Sequence, residues 1–177
     1  MNTSKFPYKR IAIIGTTGSG KTTLAGEISA LLDISVYSLD ILQKDEDGHR
    51  IDSLDFLKRV EEIASADSWI LDGGYKITNP IIFKNAQAVI WLDYPLRIVL
   101  PRRIRRNISL RSPYSSLAPK TFVHRFGNFS QLVRITIRKH RHLKKTYKSL
   151  PEDYPHLQIF HFTHPYQKQL WMEVLQQ

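Results

Sequence analysis

Gly15-Thr16-Thr17-Gly18-Ser19-Gly20-Lys21-Thr22 decides the fold of this chain. It fills every fixed position of the pattern G-x-x-x-x-G-K-[ST], which describes a loop that cradles phosphates. Its glycines let the backbone curl tightly, so that successive N–H groups point at one set of oxygens. Lys21 is placed to reach β- and γ-phosphates, and the Thr22 hydroxyl to bind magnesium. The flanks agree with that reading. Arg10-Ile11-Ala12-Ile13-Ile14, just before the loop, reads as a buried strand. Beyond it Leu24, Ile28, Leu31 and Leu32 recur at helical spacing. The loop therefore opens a helix, whose positive N-terminus suits a polyphosphate. Thr23 joins residues 15–22 in the expected nucleotide-binding set.

Working outward, apolar runs at 11–14, 35–38, 69–71, 88–92 and 158–162 read as five strands. Helical patterns lie between them at 21–32, 54–66, 95–107 and about 121–147, while 43–52 reads as a polar loop. Strands alternating with helices predict a parallel sheet covered on both faces, an α/β three-layer sandwich. No internal repeat or linker divides the chain, so residues 1–177 are expected to form one domain. Pro101 should kink the 95–107 helix or delay its start. Gly127 should kink or split the long basic helix, and 107–120, with two prolines and four serines, should bend or belong to a mobile lid.

Composition bounds the partners. The absence of cysteine excludes disulfides and thiolate metal sites. No run of about 18 apolar residues predicts a membrane span, and residues 1–9 lack the apolar stretch of a secretory signal. A cytoplasmic protein without a membrane partner is the expectation. The net charge of +10 is localised: residues 1–96 carry 10 Lys/Arg against 13 Asp/Glu, whereas 97–148 carry 15 Lys/Arg and no acidic residue. Such asymmetry points to an anionic partner: nucleotide phosphates, nucleic acid or an acidic surface. Monomer or dimer stays open.

Several residues suit phosphate chemistry. Trp69-Ile70-Leu71-Asp72 is an apolar strand ending in a carboxylate, the way a magnesium-holding aspartate is presented; Asp72 would act through water, opposite Thr22. Asp40 follows the second strand, and ligands of open parallel sheets bind beyond the carboxyl ends of strands. It would orient an attacking hydroxyl or take its proton, or cap the next helix. Arg102 and Arg106, four apart, share a helix face with which to stack on an adenine and clamp phosphates, and Arg105 lies beside them. Arg134, Arg138, Lys139, Arg141, Lys144, Lys145 and Lys148 extend the basic face, with Phe122, Phe126, Phe129 and Tyr147 interleaved. That pattern fits a nucleic-acid surface or the buried side of an amphipathic helix. His140 and His142 point to different sides of a helix, which argues against zinc. Thr163-His164-Pro165 follows the last strand, where a loop would pass the adenine.

Together these elements resemble the P-loop kinases of the adenylate kinase type, most closely the bacterial DNA topology modulation protein-like, adenylate kinase-related kinases. The resemblance covers roughly residues 9–165. It rests on the loop 15–22, Val-Tyr-Ser-Leu-Asp at 36–40, Trp-Ile-Leu-Asp-Gly-Gly-Tyr at 69–75, Ile-Trp-Leu-Asp-Tyr-Pro at 90–95 and the arginines at 102–106. It implies a nucleoside-monophosphate-kinase-like sheet of strand order 2-3-1-4-5, ATP with Mg2+, and an arginine-rich lid region over about 97–148. Lys21, Asp40, Arg102 and Arg106 would carry catalysis, with Arg102 near the adenine and Arg106 near the phosphates.

Where adenylate kinases carry Asp-Gly-Phe-Pro-Arg, this chain has Asp72-Gly73-Gly74-Tyr75-Lys76. The arginine for a monophosphate acceptor is missing there. Asp40 stands where small-metabolite kinases often present a carboxylate, and it would repel an acceptor phosphate by about 1–4 kcal/mol at contact. The expectation is therefore an ATP-dependent phosphotransferase acting on a small acceptor, such as a nucleoside, nucleotide or other hydroxyl compound. The alternatives are a nucleotide-dependent nucleic-acid-binding protein or a polynucleotide 5′-hydroxyl kinase, using the basic 97–148 block.

Overall fold

A computed structural model describes residues 6–108 and 122–177, with the side chains of 107–108 and 122–128 outside that description. The order of elements begins β1 (Arg10–Gly15), α1 (Lys21–Leu32), β2 (Val36–Ser38), α2 (Leu39–Leu42), α3 (Ser53–Ala64), β3 (Trp69–Asp72) and α4 (Asn79–Asn85). It continues with β4 (Ala88–Leu92), α5 (Leu96–Ile108), α6 (Phe122–Tyr147), α7 (Leu150–Asp153), β5 (Gln158–Phe162) and α8 (Pro165–Gln176).

All five strands are parallel, in the order β2-β3-β1-β4-β5. The central strand β1 pairs Ile13 with Asp72 on one flank and Gly15 with Leu92 on the other. Successive strand side chains point to opposite faces, and both faces are apolar. Ile11 and Ile13 pack with Leu24, Ile28, Ile90, Val99 and Met172 under α1, α5 and α8. Ala12 and Ile14 pack with Leu39, Phe56, Val60, Leu71, Trp91 and Tyr147 beneath α2, α3 and the end of α6. These are the three layers expected from the strand and helix alternation.

The strands and helices read from the sequence differ from the structure mainly at their ends, whereas α2, α4, α7 and α8 have no counterpart in that reading. β3 extends to Asp72, and β2 begins at Val36 rather than 35. α3 starts one residue earlier because Asp52 caps it, its carboxylate accepting from Leu54 N at 2.7 Å. The four-residue α2 and α7 and the seven-residue α4 are too short to show helical periodicity. α8 is announced by Pro165 at its first turn and a capping box between His164 and Gln167. Thr163-His164-Pro165 thus follows β5 and opens α8. α5 runs straight through Pro101, so the proline does not delay its start. α6 is one helix across Gly127 rather than two. The expected bend at 107–120 falls almost wholly outside the described residues; 107 and 108 continue α5.

Candidate nucleotide and phosphoryl-transfer site

The loop after β1 emerges at the carboxyl edge of the sheet, between the ends of β3 and β4. Thr16 and Ser19 are buried, and Ser19 N bonds the Thr16 carbonyl at 3.0 Å, closing the curl. At the loop's tip Gly18 has φ +94°, which disfavours a side chain, and a Cβ there would stand 2.6 Å from the Val99 carbonyl of α5. The loop is wedged against that helix. Gly20 caps α1, whose N-terminus faces out of the loop.

Lys21 reaches back toward the Thr16 carbonyl at 3.4 Å. Burial lowers its pKa; Asp72 opposes that most strongly, then Lys139 adds to the lowering, with weaker contributions from Asp40 and Arg106. That set of charges identifies what surrounds the lysine. Thr22 Oγ1 donates to Asp72 Oδ2 at 2.6 Å, so the end of β3 and the start of α1 are clasped together. Asp72 is buried at 5 % exposure. The pair fits magnesium: Thr22 gives its proton to Asp72 and keeps its lone pairs free, while Asp72 offers a carboxylate one hydrogen bond further out.

Asp40 lies in the first turn of α2, at the carboxyl end of β2, and is exposed. Ser38, not Asp40, is the cap of that helix. The Tyr75 hydroxyl donates to Asp40 Oδ1. Burial, with the Asp40 hydrogen bond and charge, raises the Tyr75 phenol well above its ordinary range, while Arg50 opposes. Tyr75 therefore stays a proton donor at neutral pH. Its ring is fixed edge-on to Phe56, with centroids 5.6 Å apart.

The arginines divide. Arg106 is exposed, and its charge reaches Lys21. The charge of exposed Arg102 is felt by Tyr94, whose pKa burial pushes up to about 12, with Arg102 and Glu27 acting in opposite directions. Arg105 and Thr23 are exposed. Helical spacing placed Arg102 and Arg106 on one face; the packed helix separates their surroundings.

Two residues that the motif reading left out belong here. His140 Nδ1 lies 3.0 Å from Thr16 Oγ1, and Lys139 acts on Lys21. Lys144, one turn on from His140, pairs with buried Asp93 at 3.3 Å. Asp93 also meets His161 Nε2 at 3.3 Å, and the His161 ring stacks on Trp91 at 4.1 Å. One stripe of α6, carrying Thr136, His140, Leu143 and Tyr147, thus faces the molecule. Its spacing was readable as helical, but its contact with a loop 124 residues earlier was not. Phe129 of the interleaved aromatics is exposed and Tyr147 buried; Phe122 and Phe126 lie outside the described side chains. His142 is exposed, away from His140's contact with the loop.

No family model matches the chain, and no curated protein matches it in sequence. Solved structures do match in shape. Shikimate kinase from Acinetobacter baumannii, in complex with shikimate, matches with a TM-score of 0.56 at 19% identity over 99% of this chain and 96% of that one. Shikimate kinase from Bacteroides thetaiotaomicron gives 0.54 at 15%, over 96% and 97%. A gluconokinase from Sinorhizobium meliloti 1021 gives 0.52 at 13%, over 95% and 90%. The fold is that of the P-loop kinases, with the nucleoside-monophosphate-kinase-like strand order. Within that class these neighbours are of the shikimate kinase and gluconokinase type. Among the described residues no helix is long and apolar enough to cross a membrane.

Proposed function

We propose that the protein is an ATP-dependent kinase that moves the γ-phosphoryl group of MgATP to a hydroxyl of a small acceptor. The observation that carries this is the clasp of Thr22 on Asp72 at 2.6 Å next to Lys21, whose ammonium feels the charges of Asp72, Asp40 and Arg106. In this reading the 15–22 backbone and Lys21 hold the phosphates. Thr22 and, through water, Asp72 hold magnesium, which would neutralise charge on the β- and γ-oxygens when bound. Arg106 and Lys139 add positive charge where negative charge develops. Arg102, whose charge reaches Tyr94, is left for the adenine side.

Asp40 receives the acceptor. Tyr75 occupies its Oδ1, which leaves Oδ2 to accept from the attacking hydroxyl and hold it in line. An uncharged hydroxyl compound suits this carboxylate better than a monophosphate, which it would repel. Structural neighbours that include a gluconokinase and a shikimate kinase in complex with shikimate are consistent with such an acceptor. The narrower kinship with the DNA topology modulation protein-like kinases rests on the motifs at 36–40, 69–75 and 90–95. The nucleic-acid alternative is less favoured, because part of the basic helix is engaged within the molecule, His140 on the loop and Lys144 on Asp93, and the structural neighbours are small-molecule kinases.

ADP release from MgATP across nucleosides, nucleoside monophosphates, small sugars, polyols and hydroxy acids, and oligonucleotides tests the proposal, with Lys21→Ala as the blank. Turnover with one small-molecule class, abolished in Lys21→Ala, is expected. Full activity in Lys21→Ala would sink it, and turnover confined to oligonucleotide 5′ ends would transfer it to the polynucleotide kinase reading.

A further inference from the structure

Val99, Arg103 and Arg106 fall at i, i+4 and i+7 on α5 and form the stripe that meets the loop. Val99 is fully buried, and the Arg103 Cβ stands 3.3 Å from where a Gly18 Cβ would be. Arg103 is half-buried, and its Nη1 is sealed from solvent with no hydrogen-bond acceptor. Among the described residues no carboxylate forms an ion pair with it; Asp93, Glu27, Asp45 and Asp55 pair with other cations. Burial and the neighbouring Arg106 both work against its charge.

A guanidinium cannot escape this by losing its proton. A guanidinium nitrogen sealed from water without an acceptor costs more than an apolar group in its place would. Such a residue makes physical sense where an anion arrives to compensate it. The motif reading singled out Arg102 and Arg106 from this cluster, yet Arg103 is the arginine whose stem packs on the loop.

We propose that Arg103 is a further ligand of the nucleotide polyphosphate, held without a counter-ion at the tip of the P-loop until the phosphates supply one. This rests on the ATP reading above. The cost of the unpaired charge falls on the empty protein and is relieved on binding, so the residue trades stability for affinity.

The test measures calorimetric binding of the magnesium complex of a non-hydrolysable ATP analogue, together with thermal unfolding of the empty protein. Wild type, Arg103→Met and Arg103→Lys are compared. Arg103→Met should lose about ten- to hundredfold in affinity, the worth of hydrogen bonds to a charged group. Its empty form should unfold at a higher temperature than wild type, because the buried charge is gone. Arg103→Lys should recover part of the affinity but not the planar fork. Unchanged affinity in Arg103→Met overturns the proposal. So does a loss of affinity accompanied by a lower unfolding temperature, which would mark a structural arginine. If Arg103→Met does not fold, Arg103→Lys decides alone: a severalfold loss supports the proposal and none overturns it. If wild type fails to bind the analogue, the ATP reading falls and this one with it; if wild type binds and Arg103→Met binds equally, only this one falls.

Discussion

Gly74→Ala probes the packing that fixes α6 above the site. Gly74 follows the Asp72-Gly73 pair at the end of β3, and its φ is not positive, so its backbone accepts alanine. The space does not. An added methyl would run into the Tyr147 hydroxyl and stand 3.4 Å from Asn79 Oδ1. Tyr147 has little room to yield: it is 1 % exposed, with Phe83 and Trp91 edge-on at 6.1 and 6.0 Å. Overpacking of this kind costs about 1–3 kcal/mol, and in a chain of this size each kcal/mol lowers Tm by roughly 2–4 °C. Tyr147→Phe alone removes the hydroxyl and its contact with Asn79, costing at most about 0.5–1.5 kcal/mol. In the double variant the methyl fills the vacated space, so the combined loss should fall short of additivity by at least about 1 kcal/mol. Urea unfolding of the four proteins measures the cycle. Strict additivity, or a Gly74→Ala protein as stable as wild type, would refute the argument that this contact sets the position of α6.

Two further outcomes follow from the site. If Asp40 receives the acceptor as proposed, Asp40→Asn should lower kcat by about 10²–10⁴-fold with little change in nucleotide affinity; an unaltered kcat in steady-state assays removes Asp40 from the chemistry. His140 is held below its ordinary pKa by burial, with Asp93 opposing and Lys144 assisting, and it meets Thr16 of the loop. The unfolded chain therefore takes up this proton first, near pH 6.5. Stability from the neutral ring is present above that pH and is lost as pH falls toward the lower folded value. Thermal unfolding between pH 7.5 and 5 should fall more steeply for wild type than for His140→Gln; parallel profiles would show that His140 does not contribute.

How much of this was readable beforehand depended on range. Lys21, Thr22 and Asp72 were legible because a loop motif and a strand end are local, and parallel pairing of β1 with β3 brings them together without further information. The sheet was legible for the same reason: each buried strand is a continuous apolar run. Asp40 was legible in position, but its Tyr75 partner, 35 residues on, was not. His140 and Lys139 were named only as part of a basic stretch. The rotation of α6 about its axis is set by tertiary packing, and only that rotation selects which cations face the loop. Which of the arginines at 102–106 meets the loop has the same cause. Spacing says which residues share a face, and buried Val99, four positions before Arg103, was the one local hint of which face turns inward.

The stack of Trp91 on His161 gives the molecule an optical sensor of its own. Asp93 lies between that imidazole and Lys144 of α6, so withdrawing the helix would leave the carboxylate to the histidine alone and change the electric field across the indole. Trp69 is sealed at the far end of β3 and Trp171 sits on α8, both away from this trio. Emission from Trp91 should therefore follow the seating of α6 in real time, with Trp69→Phe and Trp171→Phe silencing the background and no dye attached.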